Sequence, residues 1–376
     1  MLALAAACAP AKKKTPPLPQ GPTLTRTDFV TGLNRPWDMG FLANGTMFFT
    51  ERVGNIWVRL PNGGKHRLTP IGPDLPDPGP NVRVEDVAGM MGLAVDPNFT
   101  TTRAIYTCFS STDNDVRVAR WTLDESHTAI VEREDIVTGI PLLIGAGRTH
   151  AGCRVRFRPG TFELLITTGD AQNPGAATDP GNLGGKVLRV DRNGDPVQGN
   201  PFGTEVYTYG HRNPQGLAFR GGASYGVEHG PGCDDEVNRL VSGGNYGWDG
   251  ELGSNPGYSE NVPMTDTIEY PTAVAAVWSS GCPTIAPSGA TFLSGAQWKG
   301  WDGALALAAL HRLEGGFIRI SFLTGDQLAG EVNAIIGGAP SPMPRLRSVV
   351  QGPDGSLYIA TDVPDGGGAI WRVIPT

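Results

Sequence analysis

The chain has 376 residues, of which 53 are Gly and 32 are Pro. Because both residues disfavour helix interiors, this composition excludes a mostly helical protein. The net charge of -7 provides no basic field for phosphate backbones, so we expect no nucleic-acid partner. The hydrophobic fraction of 39% is ample for a core, and no apolar run approaches the roughly 20 residues that span a bilayer.

The first residues form a small-residue segment that leads to Cys8 and changes at Lys12 to a Pro-rich tether. This order resembles the end of a bacterial lipoprotein signal, in which the cysteine carries the lipid. We therefore expect residues 1–26 to be a signal remnant and tether, with Cys8 as the lipidation site. An exported protein in the periplasm or at the cell surface, with a peripheral membrane tether, would follow. The alternative is a fortuitous Ala-rich start.

Four further cysteines lie outside any C-x-x-C pair, so zinc or redox chemistry is not indicated. An even number fits two disulfides in an oxidising compartment. Of the three possible connectivities, the shorter loops favour Cys108–Cys153 with Cys233–Cys282. The alternative is that all four are buried thiols.

From about Thr27 onward the chain repeats one theme, a turn followed by two alternating strands. In the first copy, Asn44-Gly45 precedes candidate strands at 46–51 and 54–60, and the last copy repeats this pattern at 356–362 and 368–373. Four looser copies lie between them. Six units over about 350 residues give about 58 residues each, which suits four short strands with loops, the size of a propeller blade.

These repeats predict an all-β protein, a six-bladed β-propeller with four-stranded antiparallel blades, in a single domain over residues 27–376. The loop-rich stretches 68–86 and 253–282 are expected to be insertions. A two-sheet sandwich is the alternative, which explains the strands but not their sixfold recurrence. In a propeller, loops from every blade meet at one end of the central axis, so residues distant in sequence can form one site.

A Gly-rich loop places His150 just before a candidate strand, and Asp170 ends the next strand. A histidine there can act as a general base because its ordinary pKa lies near neutrality, and Asp170 could fix its tautomer. Three polar, Gly-rich segments at 209–217, 228–238 and 243–248 expose backbone groups to ligands or calcium. Tight turns with acidic caps are the alternative for each segment alone.

Arg345 and Arg347 are two residues apart in a candidate strand, so both guanidinium groups lie on one face. Two convergent cations suit a polyanionic ligand. A solvated strand edge with two surface charges is the alternative.

Several strings occur in the order seen in the soluble PQQ-dependent glucose, aldose and sorbosone dehydrogenases, and the chain resembles that family from about residue 33 to 373. The most specific string is Gly210-His-Arg-Asn-Pro-Gln-Gly-Leu217. The others are His150-Ala-Gly, Thr168-Gly-Asp170, Gly184-Gly-Lys-Val-Leu-Arg-Val190, Glu228-His-Gly-Pro231, Asp235-Glu236, Gly244-Asn-Tyr-Gly-Trp248, Pro287-Ser288 and Arg345-Leu-Arg347. The family folds as a six-bladed propeller, in agreement with the repeats.

The resemblance implies roles for the reacting groups. His150 corresponds to the base that takes the proton of the sugar C1 hydroxyl while C1 passes a hydride to C5 of pyrroloquinoline quinone (PQQ). Asp170 corresponds to the carboxylate that orients this base. Arg212 would stabilise charge on the quinone C5 oxygen and bind the cofactor together with Asn213.

The resemblance also implies ligands for the cofactor carboxylates and for calcium. Arg345 and Arg347 match the arginines that hold the PQQ carboxylates. The backbone carbonyls of Gly230 and Pro231 match ligands of the calcium ion at the quinone. A second, structural calcium ion would be bound by Glu236 and Tyr246.

Three positions depart from the family pattern. His311 stands where glucose dehydrogenases have a cofactor-binding Lys, Val87 where they have a Gln, and Thr149 where they have an Asp before the base. Three cofactor contacts are thus altered, while the hydride-transfer residues are kept.

The resemblance therefore implies a quinoprotein aldose sugar dehydrogenase that forms lactones and passes electrons to an external acceptor, such as a quinone, a dye or a cytochrome. A monomer or a dimer is expected. One alternative is a calcium-dependent propeller lactonase, for which Asp170 and Glu228 are the candidate central carboxylates. Another is a cofactor-free, sugar-binding propeller.

Overall fold

The computed structural model describes residues 17–72, 75–145, 149–252, 255–311 and 315–376. Cys8 and the lipidation expected there lie outside these residues. Six antiparallel sheets, each with at least four strands, follow one another along the chain, and each sheet contacts the next near its inner edge so that the six form a ring. The predicted six-bladed propeller is therefore confirmed, and the sandwich is excluded.

Closure of the ring depends on the first strand, β1 (Leu24–Leu33), which begins three residues before the expected domain start at residue 27. This strand pairs antiparallel with the last strand of the chain, joining Leu24 to Pro375 and Leu33 to Gly368. The amino-terminal strand thus supplies the outer edge of the last blade, and both ends of the domain are held in one sheet.

The strands of each blade run in chain order from the axis outward. Blade 1 contains β2 (Pro36–Phe41), β3 (Met47–Glu51), β4 (Asn55–Arg59) and β5 (Lys65–Arg67). Blade 2 contains β7 (Met90–Val95), β8 (Ala104–Ser110), β9 (Val116–Leu123) and β10 (Ala129–Ile140), with the short β6 (Thr69–Pro70) parallel to β10. Blade 3 contains β11 (Val155–Phe157), β12 (Leu164–Thr168), β13 (Lys186–Val190) and β14 (Val206–Tyr209).

The other three blades have the same order, with additions in blades 4 and 6. Blade 4 contains β15 (Pro214–Arg220), β16 (Ala223–Glu228), β17 (Glu236–Leu240) and β20 (Trp278–Ser279), and the separate ribbon β18 (Glu251–Leu252) and β19 (Asn255–Tyr258) precedes β20. Blade 5 contains β21 (Pro287–Phe292), β22 (Leu305–Ala309), β23 (Phe317–Thr324) and β24 (Gln327–Asn333). Blade 6 contains β26 (Leu346–Gln351), β27 (Leu357–Thr361), β28 (Gly368–Pro375) and β1, with β25 (Ile336–Gly337) parallel to β1.

Helical structure within the described residues is confined to three short pieces. These are α1 (Phe99–Thr102) and the 3-10 turns Gly79–Asn81 and Ala296–Trp301. Within the part of the chain that the structure describes, no helix has the length and apolar character needed to cross a membrane.

Burial decreases from the middle of each blade to its edge. In blade 2, all seven residues of β8 are buried, whereas the outer strand β10 buries about every third or fourth residue. The cores lie between neighbouring blades, as where Tyr106 and Cys108 of β8 pack with Leu164 and Ile166 of β12. The middle strands are covered on both faces, which explains why their sequences are nearly continuous apolar runs.

Both predicted disulfides are confirmed. Cys108 of β8 is bonded to Cys153 just before β11, with 5.5 Å between the Cα atoms, and this bond joins blades 2 and 3. Cys233 is bonded to Cys282 at a Cα separation of 4.4 Å, and it ties the loop after β16 to the loop before β21.

One repeat unit differs from its expected place in a blade. In five units the two recognised segments form the second and third strands, but in blade 4 they form β15 and β16, the first and second strands. The third strand, β17, contains Glu236 and Asn238, which are buried and hydrogen-bonded to each other. These polar side chains interrupt the apolar pattern by which a buried strand is recognised. The expected insertion at 253–282 also supplies β20, the outer strand of this blade.

Candidate active site

Loops that precede the inner strands of several blades enclose a cavity of about 490 Å3 at one end of the axis. A propeller brings these loops together because every inner strand lies next to the axis. A depression of about 710 Å3 elsewhere is formed by turns of blades 5 and 6 and contains none of the expected site residues. The axial cavity is lined by Asp86, Val87, Thr149, His150, Arg212, Asn213, Gln215, His229, Gly230, Pro231, Pro283, Thr284, Ala286, Leu310, His311, Arg345 and Arg347.

His150 and Asp170 form a buried pair at the wall of this cavity. The Nδ1 atom of His150 lies 2.8 Å from Asp170 Oδ1, and both side chains are almost completely buried. A Cβ atom on Gly169 would lie 2.0 Å from the His150 carbonyl oxygen, so glycine is required where the two loops meet. Because a carboxylate only accepts, Nδ1 carries the proton and Nε2 keeps its lone pair.

Asp170 accepts further hydrogen bonds from around the pair. Trp248 Nε1 donates at 2.7 Å and the Tyr258 hydroxyl at 2.9 Å to Oδ2, and the Gln172 amide donates at 2.9 Å to Oδ1. Burial raises the pKa of Asp170, but the hydrogen bond and charge of His150 lead the opposing effects, and the net pKa is lowered. Asp170 is therefore an ionised, fully partnered carboxylate, suited to holding His150 in one tautomer.

Arg212 lies beside His150 and is buried, with its guanidinium carbon 5.4 Å from the Trp248 ring centre. Its Nη1 atom donates to the His229 carbonyl at 3.0 Å, and its backbone amide donates to Glu228 Oε2 at 3.0 Å. Glu260 accepts from Nη2 at 2.5 Å and from Nε at 3.2 Å. The guanidinium is thus aimed at the same space as His150.

A wall of arginines lies on the blade 6 side. Arg347 donates from Nη1 to Gln215 Oε1 at 2.7 Å and from Nη2 to Asp362 Oδ2 at 2.9 Å. Arg345 and Arg35 each lie 3.4 Å from the Asp362 carboxylate. Burial raises the pKa of Asp362, but Arg347 and the neighbouring arginines lower it strongly. One carboxylate therefore contacts three guanidinium groups at this wall.

Two buried polar atoms at the cavity have no hydrogen-bond partner among the described residues, Arg347 Nε and His229 Nε2. Removal from water, followed by the charges of Arg212 and Arg347, lowers the pKa of His229 to about 3, so its imidazole is neutral. Unpartnered buried polar atoms are costly, and here they lie at a cationic cavity. The other ring nitrogen of the neutral His229 bonds the Pro287 backbone, so Nε2 can only accept a hydrogen bond. Arg347 Nε is a donor, and beside the guanidinium group of Arg212 it fits an anionic ligand with several acceptor oxygens.

The remaining expected cofactor residues also line the cavity. Asn213 is buried and accepts the Gly152 amide at 3.1 Å, so it joins the His150 loop to blade 4. Val87, Thr149 and His311 also line the cavity, so all three departures from the family pattern are at the site itself.

Gly230 and Pro231 line the cavity on a tightly held loop. The Asp235 carboxylate accepts the Gly230 amide at 3.0 Å and also the amides of Ile285 and Ala286 at 2.6 and 3.0 Å. A Cβ atom on Gly230 would lie 1.9 Å from a backbone carbonyl, so no larger residue fits. Together with the Cys233–Cys282 bond, these contacts fix the position of the two expected carbonyl ligands.

Glu236 and Tyr246 lie in blade 4, away from the cavity lining. Glu236 accepts from Asn238 at 3.0 Å and from Thr265 at 2.9 Å. The Tyr246 ring stacks on His211 at 4.5 Å, and its hydroxyl donates to the Arg239 carbonyl at 2.5 Å. The described contacts do not join the two side chains directly.

The buried carboxylates near this pair suggest a place for positive charge. Burial, followed by the charge of Glu228, raises the pKa of Glu236 above its ordinary value. Nevertheless, the described ranges contain no group of three or more His, Cys, Asp or Glu side chains able to hold a metal ion. Any calcium ion in these ranges would therefore need further oxygen ligands, such as backbone carbonyls, amide side chains or water.

Several residues of the site were missed by the sequence analysis. Tyr258 and Glu260 lie in a Gly- and Pro-containing loop without periodicity, and no signal could have identified them. His229 and Trp248 occur within the family-like strings, but the sequence analysis assigned site roles to neighbouring residues of those strings instead. Asp362 ends a strand in the last repeat and could have been noticed as an unexplained carboxylate.

Taken together, the fold and the site define a six-bladed propeller with a cationic axial cavity, at which an oriented histidine faces an arginine. The family model described as glucose/sorbosone dehydrogenase matches residues 33–372. The chain therefore belongs to the glucose/sorbosone dehydrogenase family, as its motifs indicated.

Solved and curated relatives agree with this assignment. The PQQ-bound aldose sugar dehydrogenase of Streptomyces coelicolor is 27% identical with a TM-score of 0.74, and the match covers 95% of this chain and 99% of that chain. The apo-form of the soluble aldose sugar dehydrogenase of Escherichia coli is 26% identical with a TM-score of 0.76, covering 94% and 100%. Quinoprotein glucose dehydrogenase B of Acinetobacter calcoaceticus is 26% identical over 421 residues, covering 89% of this chain and 84% of the relative.

Proposed function

We propose that this protein is a PQQ-dependent aldose sugar dehydrogenase that oxidises the C1 hydroxyl of a sugar to a lactone. The observation that carries the proposal is the His150 ring, whose Nδ1 is fixed by Asp170 at 2.8 Å while Nε2 faces the space beside Arg212. A positioned base next to a cation is the arrangement that alcohol oxidation by hydride transfer requires.

The residues present fit the tricarboxylate PQQ. Arg345 and Arg347 would hold its carboxylates, with Asn213 and Arg212 at the quinone and His311 in the cavity lining. When bound, PQQ supplies an electrophilic quinone carbon, C5, that accepts the hydrogen and the electron pair leaving C1 of the sugar. The unpartnered Arg347 Nε offers one further donor for such a ligand.

His150 performs the proton transfer in this proposal. Its Nε2 atom takes the proton of the C1 hydroxyl, and the ionised Asp170 stabilises the resulting imidazolium through Nδ1. Trp248 and Tyr258 keep Asp170 in place by donating to its other oxygen. Arg212 stabilises negative charge that develops on the oxygen it faces, and its burial beside Trp248 strengthens that interaction.

Calcium forms part of the proposal at two places. The carbonyl oxygens of Gly230 and Pro231 would bind a calcium ion at the cofactor, because both residues line the cavity on a rigid loop. Glu236 and the backbone carbonyl of Tyr246 would bind a second ion in blade 4. Such an ion would offset the repulsion between the buried carboxylates of Glu228 and Glu236.

The lactonase alternative requires carboxylates directed into the cavity. Neither Asp170 nor Glu228 belongs to the cavity lining. Asp170 is held by four donors, and Glu228 accepts from His211 at 2.8 Å and from Asn238 at 2.8 Å. Both carboxylates therefore serve the surrounding protein, which favours the dehydrogenase.

Reconstitution tests the proposal. PQQ and calcium are added to the purified apo-protein, and dye reduction is followed with several aldoses. We expect turnover, and His150→Ala should lower kcat by about 100-fold or more while PQQ stays bound. The control is His66→Ala on the outer strand β5, which should leave turnover unchanged. Absence of PQQ binding and of turnover with every aldose would refute the proposal and favour a cofactor-free, sugar-binding propeller.

We also propose that the protein works outside the cytoplasm and passes its electrons to an external quinone or cytochrome. Its two disulfides support an oxidising compartment. Fractionation of cells, with detection of the lipid on Cys8 by mass spectrometry, tests this location. Recovery of the unlipidated, reduced protein from the cytoplasm would contradict it.

A further inference from the structure

A carboxylate that none of the family motifs contains lies over the reacting groups. Glu260 follows the ribbon strand β19, in the connection between β19 and β20. Its Oε2 atom accepts from Nη2 and Nε of Arg212 at 2.5 and 3.2 Å, and its Oε1 atom lies 3.7 Å from His150 Nε2. Glu260 thus contacts both side chains to which the proposed function assigns the reaction.

This contact uses the donors that Arg212 would offer to a ligand. With Nη1 bonded to the His229 carbonyl, all three guanidinium nitrogens of Arg212 already have protein partners. An anionic ligand that takes the place of Glu260 at Nε and Nη2 must first displace it. The charge of Arg212 is meanwhile neutralised by an internal anion.

Glu260 is held more weakly than the other site carboxylates. Its side chain is 34% exposed, whereas the side chain of Asp170 is 1% exposed. Apart from Arg212 and the distant His150 nitrogen, its described partner is Gln172 Nε2 at 3.3 Å. No secondary-structure element carries Glu260, because β19 ends at Tyr258. The Arg212 side chain is only 4% exposed, so its charge needs an anion at this place, and the more exposed Glu260 can give way when another anion replaces it.

The ligand that displaces Glu260 needs additional anchoring. A simple anion would form a contact with Arg212, but the contact between Glu260 and Arg212 would be lost. The net gain in binding free energy is therefore small. An anion with several carboxylates also reaches Arg345 and Arg347 at the same cavity, and Arg347 Nε has no hydrogen-bond partner among the described residues. Multiple anchoring therefore distinguishes the polyanion from the simple anion.

We propose that Glu260 is a specificity-determining residue for ligand entry, an internal anion that excludes simple anions from Arg212 and yields to a polyanionic cofactor. The proposal rests on the proposed function, in which PQQ is that cofactor. It predicts that removing the charge of Glu260 makes PQQ bind more tightly and opens Arg212 to inorganic anions.

The test measures PQQ binding to the full-length apo-protein by quenching of tryptophan fluorescence, with and without inorganic phosphate. Glu260→Gln keeps the side-chain size but removes the charge. Glu269→Gln changes the net charge equally at an exposed position of the same insertion and serves as the control. We expect Glu260→Gln to bind PQQ about 3- to 10-fold more tightly than wild type. Phosphate should weaken PQQ binding by this variant but not by wild type or by Glu269→Gln.

The outcomes separate this proposal from the proposed function. If Glu260→Gln binds PQQ as wild type does and stays insensitive to phosphate, the role of Glu260 is refuted and the dehydrogenase stands. Weaker PQQ binding by Glu260→Gln also refutes it, because Glu260 would then contact the bound cofactor. If neither wild type nor variant binds PQQ, both proposals fail. Circular dichroism checks folding, and Glu260→Ala, which should act in the same direction, provides a second variant.

Discussion

Replacing Asp38 by Asn should destabilise the propeller strongly, because this carboxylate joins several blades at the axis. Asp38 lies on the inner strand β2 and has no exposed surface. It pairs with Arg154 Nη1 and Arg156 Nη1, each at 2.6 Å, and accepts the Leu93 amide at 2.9 Å and the Ser348 hydroxyl at 3.1 Å. These partners belong to blades 2, 3 and 6.

Two observations give the magnitude. Breaking a buried pair by removing one partner costs about 3–5 kcal/mol, because the other charge stays buried without compensation. Burial raises the pKa of Asp38, but Arg154 and Arg156 outweigh it and lower the pKa to about 2. A shift of that size corresponds to about 2 kcal/mol, which is the lower bound for the loss. With an unfolding entropy of about 0.7 kcal/mol per kelvin for a domain of this size, Tm should fall by about 4–7 °C.

The pH dependence follows from the direction of the shift. Since the folded-state pKa of Asp38 is depressed, its stabilisation is present above the ordinary value of 3.8 and is lost as pH falls through about 2. The difference in Tm between wild type and Asp38→Asn should therefore be constant at neutral pH and shrink below pH of about 4.

Thermal unfolding followed by circular dichroism measures this effect. The control is Asp28→Asn on the outer strand β1, where the carboxylate is 50% exposed and pairs with Arg26. An exposed pair contributes about 1 kcal/mol or less, so this variant should lower Tm by no more than about 1 °C. A fall in Tm for Asp38→Asn no larger than that of Asp28→Asn would refute the reasoning.

Two further changes test the surroundings of the site. Tyr258→Phe removes one donor to Asp170, so kcat should fall about tenfold at similar KM because the His150–Asp170 pair is held less rigidly. An unchanged kcat would mean that Tyr258 only fills space. The double substitution Cys233→Ser with Cys282→Ser should lower the stability by about 4 kcal/mol and raise the calcium concentration needed for PQQ binding, because that disulfide holds the Gly230 loop. The control substitution, Cys108→Ser with Cys153→Ser, should lower the stability but leave the calcium concentration needed for PQQ binding unchanged. An equal rise in that calcium concentration in both variants would contradict a specific role of the Cys233–Cys282 bond.

The fold could be predicted because its information is local and repeated. Each blade contains a pair of buried strands, and this pair is visible wherever both faces are apolar. Two features of the fold could not be predicted from the sequence, each for a physical reason. The strand β1 pairs with β28 at the opposite end of the chain, and an amphipathic edge strand does not identify its partner. In β17, Glu236 and Asn238 replace apolar residues, so the strand pair that the sequence shows in blade 4 is β15 and β16, the first and second strands.

The site was predictable where the chemistry lies in a motif. His150 and Arg212 lie in Gly-rich strings, and the structure places both at the cavity. Tyr258 and Glu260 could not be found this way, because the β18–β19 ribbon and the residues after it bring them back to Asp170, His150 and Arg212, and no sequence period reports such a fold-back. The roles of Asp38 and Asp362 likewise depend on which arginines pack against them.

Three carboxylates neutralise the arginines at the axis, and their burial decides which contact can be exchanged. Asp38 is 0% exposed and Asp362 is 4% exposed in its side chain, so loss of either leaves buried cations and costs several kcal/mol. Glu260 is 34% exposed, so it can leave Arg212 when another anion takes its place beside that buried cation. A ligand can therefore replace Glu260 without disturbing the arginines that Asp38 and Asp362 hold in place. Of these three carboxylates, the two buried ones hold the axial arginines rigidly, and the exposed one makes an exchangeable contact beside the reacting groups.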